Sequence, residues 1–263
     1  MQIDKDNNKS EVKKEVKSEK QKEIKLHKEM ISYKDGDVEL EGYLVYNENL
    51  DGKLPGVIVA HAWMGLDDYA KKRADQLAEM GYIAFALDIY GKGVKAKDHK
   101  EAAKLMGIYA SDRKLLRSRA KAGFDVISNH KKCDYDKIAA MGYCFGGITV
   151  LEMGRSGLDV KGIVTFHGFF SNPNPYSAKN IKGKVLVFHG DKDPFLKPDE
   201  LGNFEKEMKA ANAKFEIIRF KDAVHAFTVK KAGNDPSNGA AYNENADKIS
   251  WEKTTDFFNE ILK

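Results

Sequence analysis

Cysteine is nearly absent from this chain of 263 residues, where only Cys133 and Cys144 occur. Two thiols cannot build a disulfide framework, and they exclude a four-cysteine zinc site. Long apolar runs are missing as well: none approaches the ~18 residues needed to cross a bilayer. Charge of one sign is not in excess, since 44 Lys and Arg face 40 Asp and Glu for a formal net charge of +4. That balance gives no support to nucleic-acid binding, which needs positive charge gathered on one face. Nor is there an internal repeat or a second set of core-forming segments.

What is present suits a globular α/β protein, with 42% hydrophobic and 32% charged residues. Residues 1–28 hold nine lysines and six acidic residues with almost no apolar periodicity. They are expected to be a disordered segment, because too little surface can be buried to offset the entropy of ordering. The interspersed acids argue against a basic arm, and a spacer left behind a cut export or lipoprotein signal is the alternative. Residues 29–263 are expected to form a single domain.

The pattern within that domain alternates strand and helix. Apolar and polar residues alternate on both sides of Asp35-Gly36-Asp37, which predicts a hairpin over 31–45. Uninterrupted apolar strands are predicted at 57–60, 82–87, 138–141, 162–166 and 184–188, with a further strand at 215–220. Helices are predicted over 67–80, 98–130 in two pieces, from Phe145 to about 155, 197–211 and 245–261. Strands apolar on both sides imply a mostly parallel sheet of about eight strands, with helices on both faces.

The chemistry gathers at Gly142-Tyr143-Cys144-Phe145-Gly146-Gly147. A nucleophile between glycines, where an apolar strand turns into a helix, has the pattern of a nucleophile elbow with sulfur in place of oxygen. The glycines are needed because neighbouring β-carbons would collide in so sharp a turn. A buried cysteine in a glycine-rich turn is the plainer alternative. Residues after the other strand ends decide between the two, since in open α/β sheets function collects outside the carboxyl ends of the strands. A nucleophile, an acid and a histidine arise there in the order Cys144, Asp193, His225, as an α/β-hydrolase sheet requires. His225 would act as base, and Asp193 would orient it. Asp191 competes with Asp193 but is better suited to capping its turn. The amides of Trp63 and Phe145 would form the oxyanion hole. Ala62, Met64, Tyr90, His167 and Phe169 are candidate pocket residues. His61 and His189 read as structural, and the spacing of the histidines offers no metal-ligand pair.

Three of these segments carry a resemblance: Gly142 to Gly147, Gly190-Asp191-Lys192-Asp193-Pro194, and His225-Ala226-Phe227. Together with Asp88-Ile89-Tyr90-Gly91 they look like the dienelactone hydrolase family of α/β-hydrolases, over about residues 30–262. The resemblance implies a hydrolase of lactones or small esters with a Cys-His-Asp triad and no cofactor. Two positions depart from the family pattern. Ala62 stands where members that open dienelactone usually carry a glutamate that helps activate the thiol. Lys92 and Val229 stand where arginines hold the substrate's carboxylate, so Lys92 is the candidate substrate cation. The expected partner is a small-molecule ester or lactone, the expected assembly a monomer or homodimer. The expected compartment is the cytoplasm, or the periplasm or a lipid anchor if an export signal once preceded residue 1. The rival readings are a non-catalytic or redox-responsive thiol protein, and an acyltransferase or peptidase using the same triad.

Overall fold

The computed structural model describes residues 24–263. The expectation of disorder over residues 1–23 lies outside the described residues. Residues 26–28, assigned to the same segment, instead pair in the first strand.

That strand, β1 (Leu26–Asp35), forms a ten-pair antiparallel hairpin with β2 (Val38–Asn47). Its two-residue turn needs Gly36 at φ 60°. There follow β3 (Leu54–Ala60), α1 (Asp68–Glu79) and β4 (Ile83–Leu87). Then come α2 (His99–Ser111) and α3 (Arg113–Ser128), the two helical pieces. Asp112 both ends one and caps the other: its N–H bonds Ile108 O while its carboxylate accepts the Leu115 N–H. The chain continues through β5 (Cys133–Tyr143), α4 (Phe145–Arg155), β6 (Gly162–Phe166) and β7 (Lys184–Gly190). It closes with α5 (Glu200–Ala210), β8 (Phe215–Phe220) and α6 (Glu244–Leu262).

The sheet has eight strands in the order β1-β2-β4-β3-β5-β6-β7-β8. Only the pairs β1/β2 and β2/β4 are antiparallel. Successive residues of each inner strand enter opposite cores. Ile58, Phe85, Ala140, Ile163 and Val185 pack on one face with α3, α4 and α5. Val57, Ala84, Met141, Val164 and Leu186 pack on the other with α1 and α6. Burial on both faces is why these strands read as unbroken apolar runs.

One difference from the sequence-based boundaries concerns β5, which begins five residues early, at Cys133. Cys133 is not part of a polar connection. It is buried against Gly56, and burial pushes its thiol up to about 12.

At the other end of β5 the chain makes the turn that places the candidate nucleophile. Cys144 has φ 54° and ψ −115°, a region that residues with a β-carbon enter only at a cost of roughly 1–3 kcal/mol. The surrounding packing over-determines it. A β-carbon on Gly142 would stand 2.0 Å from Gly146 O, and one on Gly146 would stand 2.1 Å from Ala60 O. Helix α4 is therefore pressed against the ends of β5 and β3, and all eleven of its residues are buried. Its far end is fixed by Arg155, fully buried and paired with Glu152 at 3.0 Å and Glu207 at 2.9 Å.

Gly142→Ala should therefore destabilise the protein by about 3 kcal/mol or more, because the obstacle is backbone and cannot rotate away. Urea denaturation reads this directly, and a loss under about 1 kcal/mol would show that the elbow can relax.

Candidate active site

The carboxyl ends of β3 to β8 lie along one edge of the sheet, and the loops leaving them converge there. Cys144 stands at the amino end of α4, 6% exposed. Asp193 sits in the turn after β7, which is tied down by Asp191 N–H to Phe220 O and Lys192 N–H to Ala223 O, each 3.0 Å. His225 lies in the loop after β8, where its N–H donates to Gly239 O and its carbonyl accepts the Ala241 N–H, both at 3.0 Å.

These three residues meet. His225 Nδ1 lies 2.7 Å from Asp193 Oδ2, and the other oxygen of that carboxylate accepts the Phe195 N–H at 2.9 Å. With Nδ1 engaged by Asp193, the His225 ring also interacts with the Cys144 side chain. Asp191 is excluded from this contact, because it pairs with Arg219 Nε at 2.6 Å.

The electrostatics follow from the same contacts. Burial works against charge on His225, but it is outweighed by the negative charge of Cys144 and by the hydrogen bonds to Asp193 and Cys144. Together these raise the imidazole to about 10. The arrangement favours a proton on His225.

The loop after β3 supplies the second wall. His61 is 1% exposed, with Nδ1 2.7 Å from Ala62 O and Nε2 3.2 Å from the Ile89 amide. Since the amide can only donate, Nε2 accepts and Nδ1–H donates, so His61 ties this loop to the end of β4. Burial keeps it neutral, below the usual imidazole range. The peptide that carries the Trp63 N–H is the one whose carbonyl, Ala62 O, His61 holds, and Tyr90 Oη donates to Trp63 O at 2.9 Å, one peptide further on. Phe145 N–H is the first amide of α4, with no carbonyl a turn earlier to receive it. Among the described residues, neither the Phe145 nor the Trp63 amide donates to a backbone carbonyl. Ala62, Trp63 and Met64 are all half-buried on this loop.

Three expected pocket residues are placed differently. Tyr90 is buried against Phe145 and Tyr109, and supports the site from behind. His167 is 1% exposed and packs behind His225 at 4.9 Å between ring centres, where a substrate cannot reach it. Lys92 points to the hairpin surface, 2.8 Å from Glu39 Oε1 and 3.1 Å from Ser32 Oγ, so it is already paired away from the thiol. Phe169 is half-buried, with its ring 5.9 Å from that of His225. Sequence reasoning missed Phe195, half-exposed and edge-on to the His225 ring at 5.3 Å. Its position two residues beyond Asp193 was the available signal. No group of three or more His, Cys, Asp or Glu side chains is placed to hold a metal ion among the described residues.

Sheet order, elbow and converging loops define an α/β-hydrolase fold. The chain belongs to the dienelactone hydrolase family, whose model matches residues 40–262. It is similar to the solved structure of m3DLH, at 34% identity and TM-score 0.87, over 90% of this chain and 99% of that one. It is also similar to P91, a dienelactone hydrolase-like promiscuous phosphotriesterase from metagenomic libraries, at 33% identity and TM-score 0.86 over the same shares of 90% and 99%. A putative carboxymethylenebutenolidase of Aquifex aeolicus is 26% identical over 245 residues, covering 89% of this chain and 99% of the relative.

Replacing the sulfur isolates its effect on His225. In Cys144→Ala the largest influence raising the imidazole is gone while burial remains, so its titration should fall well below about 10. Proton NMR of the ring measures this, and a value still near 10 would mean that Asp193 alone sustains the charge.

Proposed function

We propose that this protein hydrolyses carboxylic esters or lactones of small molecules through Cys144, His225 and Asp193. The observation that carries the reading is the position of His225, bound through Nδ1 to Asp193 and interacting with the Cys144 side chain. The relatives' names, which include carboxymethylenebutenolidase, support the substrate class.

The reaction follows from the charges. Thiolate Cys144 attacks the carbonyl carbon, and the resulting oxyanion receives the amide hydrogens of Phe145 and Trp63. Collapse breaks the carbonyl carbon to oxygen bond, and the departing alkoxide takes the proton from His225. A lactone leaves its hydroxyl attached to the acyl chain, whereas an ester releases an alcohol. In the thioester Cys144 carries no charge, so the largest influence raising His225 is lost and burial favours the neutral ring. Neutral His225 then takes a proton from water, which attacks the thioester and releases the acid. Cys144 leaves as thiolate, and the ion pair is restored.

Ala62 and Lys92 bear on the substrate. With alanine at position 62, no carboxylate of that residue competes with His225 for the thiol. With Lys92 held by Glu39, selection falls to apolar walls such as Phe169 and Phe195 beside His225. Neutral short-chain esters then suit the site.

Steady-state hydrolysis of nitrophenyl esters tests the reading. Cys144→Ala should abolish turnover, and retained activity would overturn the nucleophile assignment. Asp193→Asn should lower kcat by about 100-fold or more through loss of the imidazole's orientation, while Asp191→Asn, paired only with Arg219, should change it less than about twofold. The reverse ranking would move the acid to Asp191. Lys92→Ala should alter kcat/KM for a carboxylated ester less than about twofold, as expected for a cation on an exposed pair. A selective loss with that ester would restore Lys92 to the site.

A further inference from the structure

Behind the triad lies a buried polar chain that the proposed reaction does not use. His167 ends β6 at φ 40°, in the left-handed region that disfavours a side chain. Its Nε2 lies 3.0 Å from Thr228 Oγ1, and Thr228, 2% exposed, is three residues beyond His225 in the same loop. Tyr69 Oη on α1 lies 2.8 Å from Thr228 Oγ1, and Arg73 Nε lies 3.2 Å from Tyr69 Oη. Arg73 Nη2 ends the chain 2.6 Å from Asp247 on α6.

Tyr69 Oη also lies 3.2 Å from Thr228 O, so its hydrogen can go to either oxygen of that residue. A guanidinium can only donate, so Tyr69 Oη accepts from Arg73 and gives its own hydrogen to Thr228. The Thr228 hydroxyl in turn holds His167 through Nε2. The other ring nitrogen, Nδ1, is buried and has no hydrogen-bond partner among the described residues. Burial first, then the charge of His225 beside it, hold His167 well below the ordinary imidazole range.

We propose that His167 and Thr228 are positioning residues: the chain from Arg73 locks the loop that carries His225, and sets the His167 ring against that of His225. The inference rests on the assignment of His225 as the catalytic acid and base. The charged and titratable groups around the pair are few. Cys144, Asp193, His167 and His189 face His225, while His225, Arg73 and His189 face His167. Of the three histidines, His225 alone is raised, and both of its neighbours are lowered first of all by burial. A neutral His167 therefore leaves the one imidazolium of the cluster on the ring that touches Cys144. The cost in backbone strain and in an unpartnered buried nitrogen is what a packing residue would not incur.

The test removes one hydroxyl. Thr228→Val keeps the shape of the side chain but cannot hold His167, so the His225 loop loosens from Cys144 and Asp193. We expect kcat to fall about 5- to 10-fold with KM nearly unchanged, the loss associated with one buried hydrogen bond. The alkaline limb of the kcat/KM profile, set by His225 near 10 in the parent, should move to lower pH, because the contacts that raise the ring weaken while burial remains. Thr228→Ser should restore both. Tyr69→Phe, one link further out, should shift the limb in the same direction by a smaller amount. It serves as the second probe if the valine variant does not fold. NMR titration of His225 in these variants, without substrate, separates this inference from the function proposed above. A lowered His225 titration supports the positioning role whatever the substrate proves to be. An unchanged limb and titration, with a lower Tm only, would overturn it and leave the chain as packing.

Discussion

The protein depends on the approach of one helix to two strand ends. Gly146 lets the first turn of α4 touch the carbonyl of Ala60, and Gly142 lets β5 fold back against the same turn. This contact has two consequences at once. It holds Cys144 at a backbone angle that a side chain otherwise avoids, and it sets the Phe145 amide beside the sulfur. The strain is small against the burial of the whole of α4 and the anchoring of its end by Arg155. The sheet thus supplies the rigidity that would aim the proposed nucleophile.

The second constraint is electrostatic. A buried imidazole in apolar surroundings loses its proton, and His189 and His167 both follow that rule. His225 does not, because Cys144 and the Asp193 carboxylate lie beside its ring. The charge that raises His225 disappears on acylation, so one residue serves as acid in the first half of the proposed reaction and as base in the second. No separate base is required, which fits the alanine at position 62.

Much of this was legible in the sequence. The parallel sheet showed as unbroken apolar strands, since residues packed on both faces leave no polar alternation. The elbow showed because its glycines have a steric reason to be there, and Cys144, Asp193 and His225 stood out as candidates because each follows a strand. Boundaries were less visible. The early start of β1 at Leu26 and of β5 at Cys133 lies in segments whose side chains are mixed, so pairing with a neighbour strand, not periodicity, defines them. Pocket residues were least visible, because a position after a strand end does not tell which way a side chain turns. Lys92 turned to Glu39 on the hairpin, a contact across 53 residues that no local pattern announces. His167 turned inward to Thr228, across 61 residues.

The central proposal is that Cys144 is the reactive thiol and that turnover passes through it. Alkylation by iodoacetamide near neutral pH, followed by peptide mass spectrometry and residual ester hydrolysis, tests it in one experiment. Cys133 is buried with its thiol pushed up to about 12, so it should remain unlabelled. The account predicts label on Cys144 and loss of activity in proportion to it. Hydrolysis that survives complete alkylation of Cys144 would contradict it.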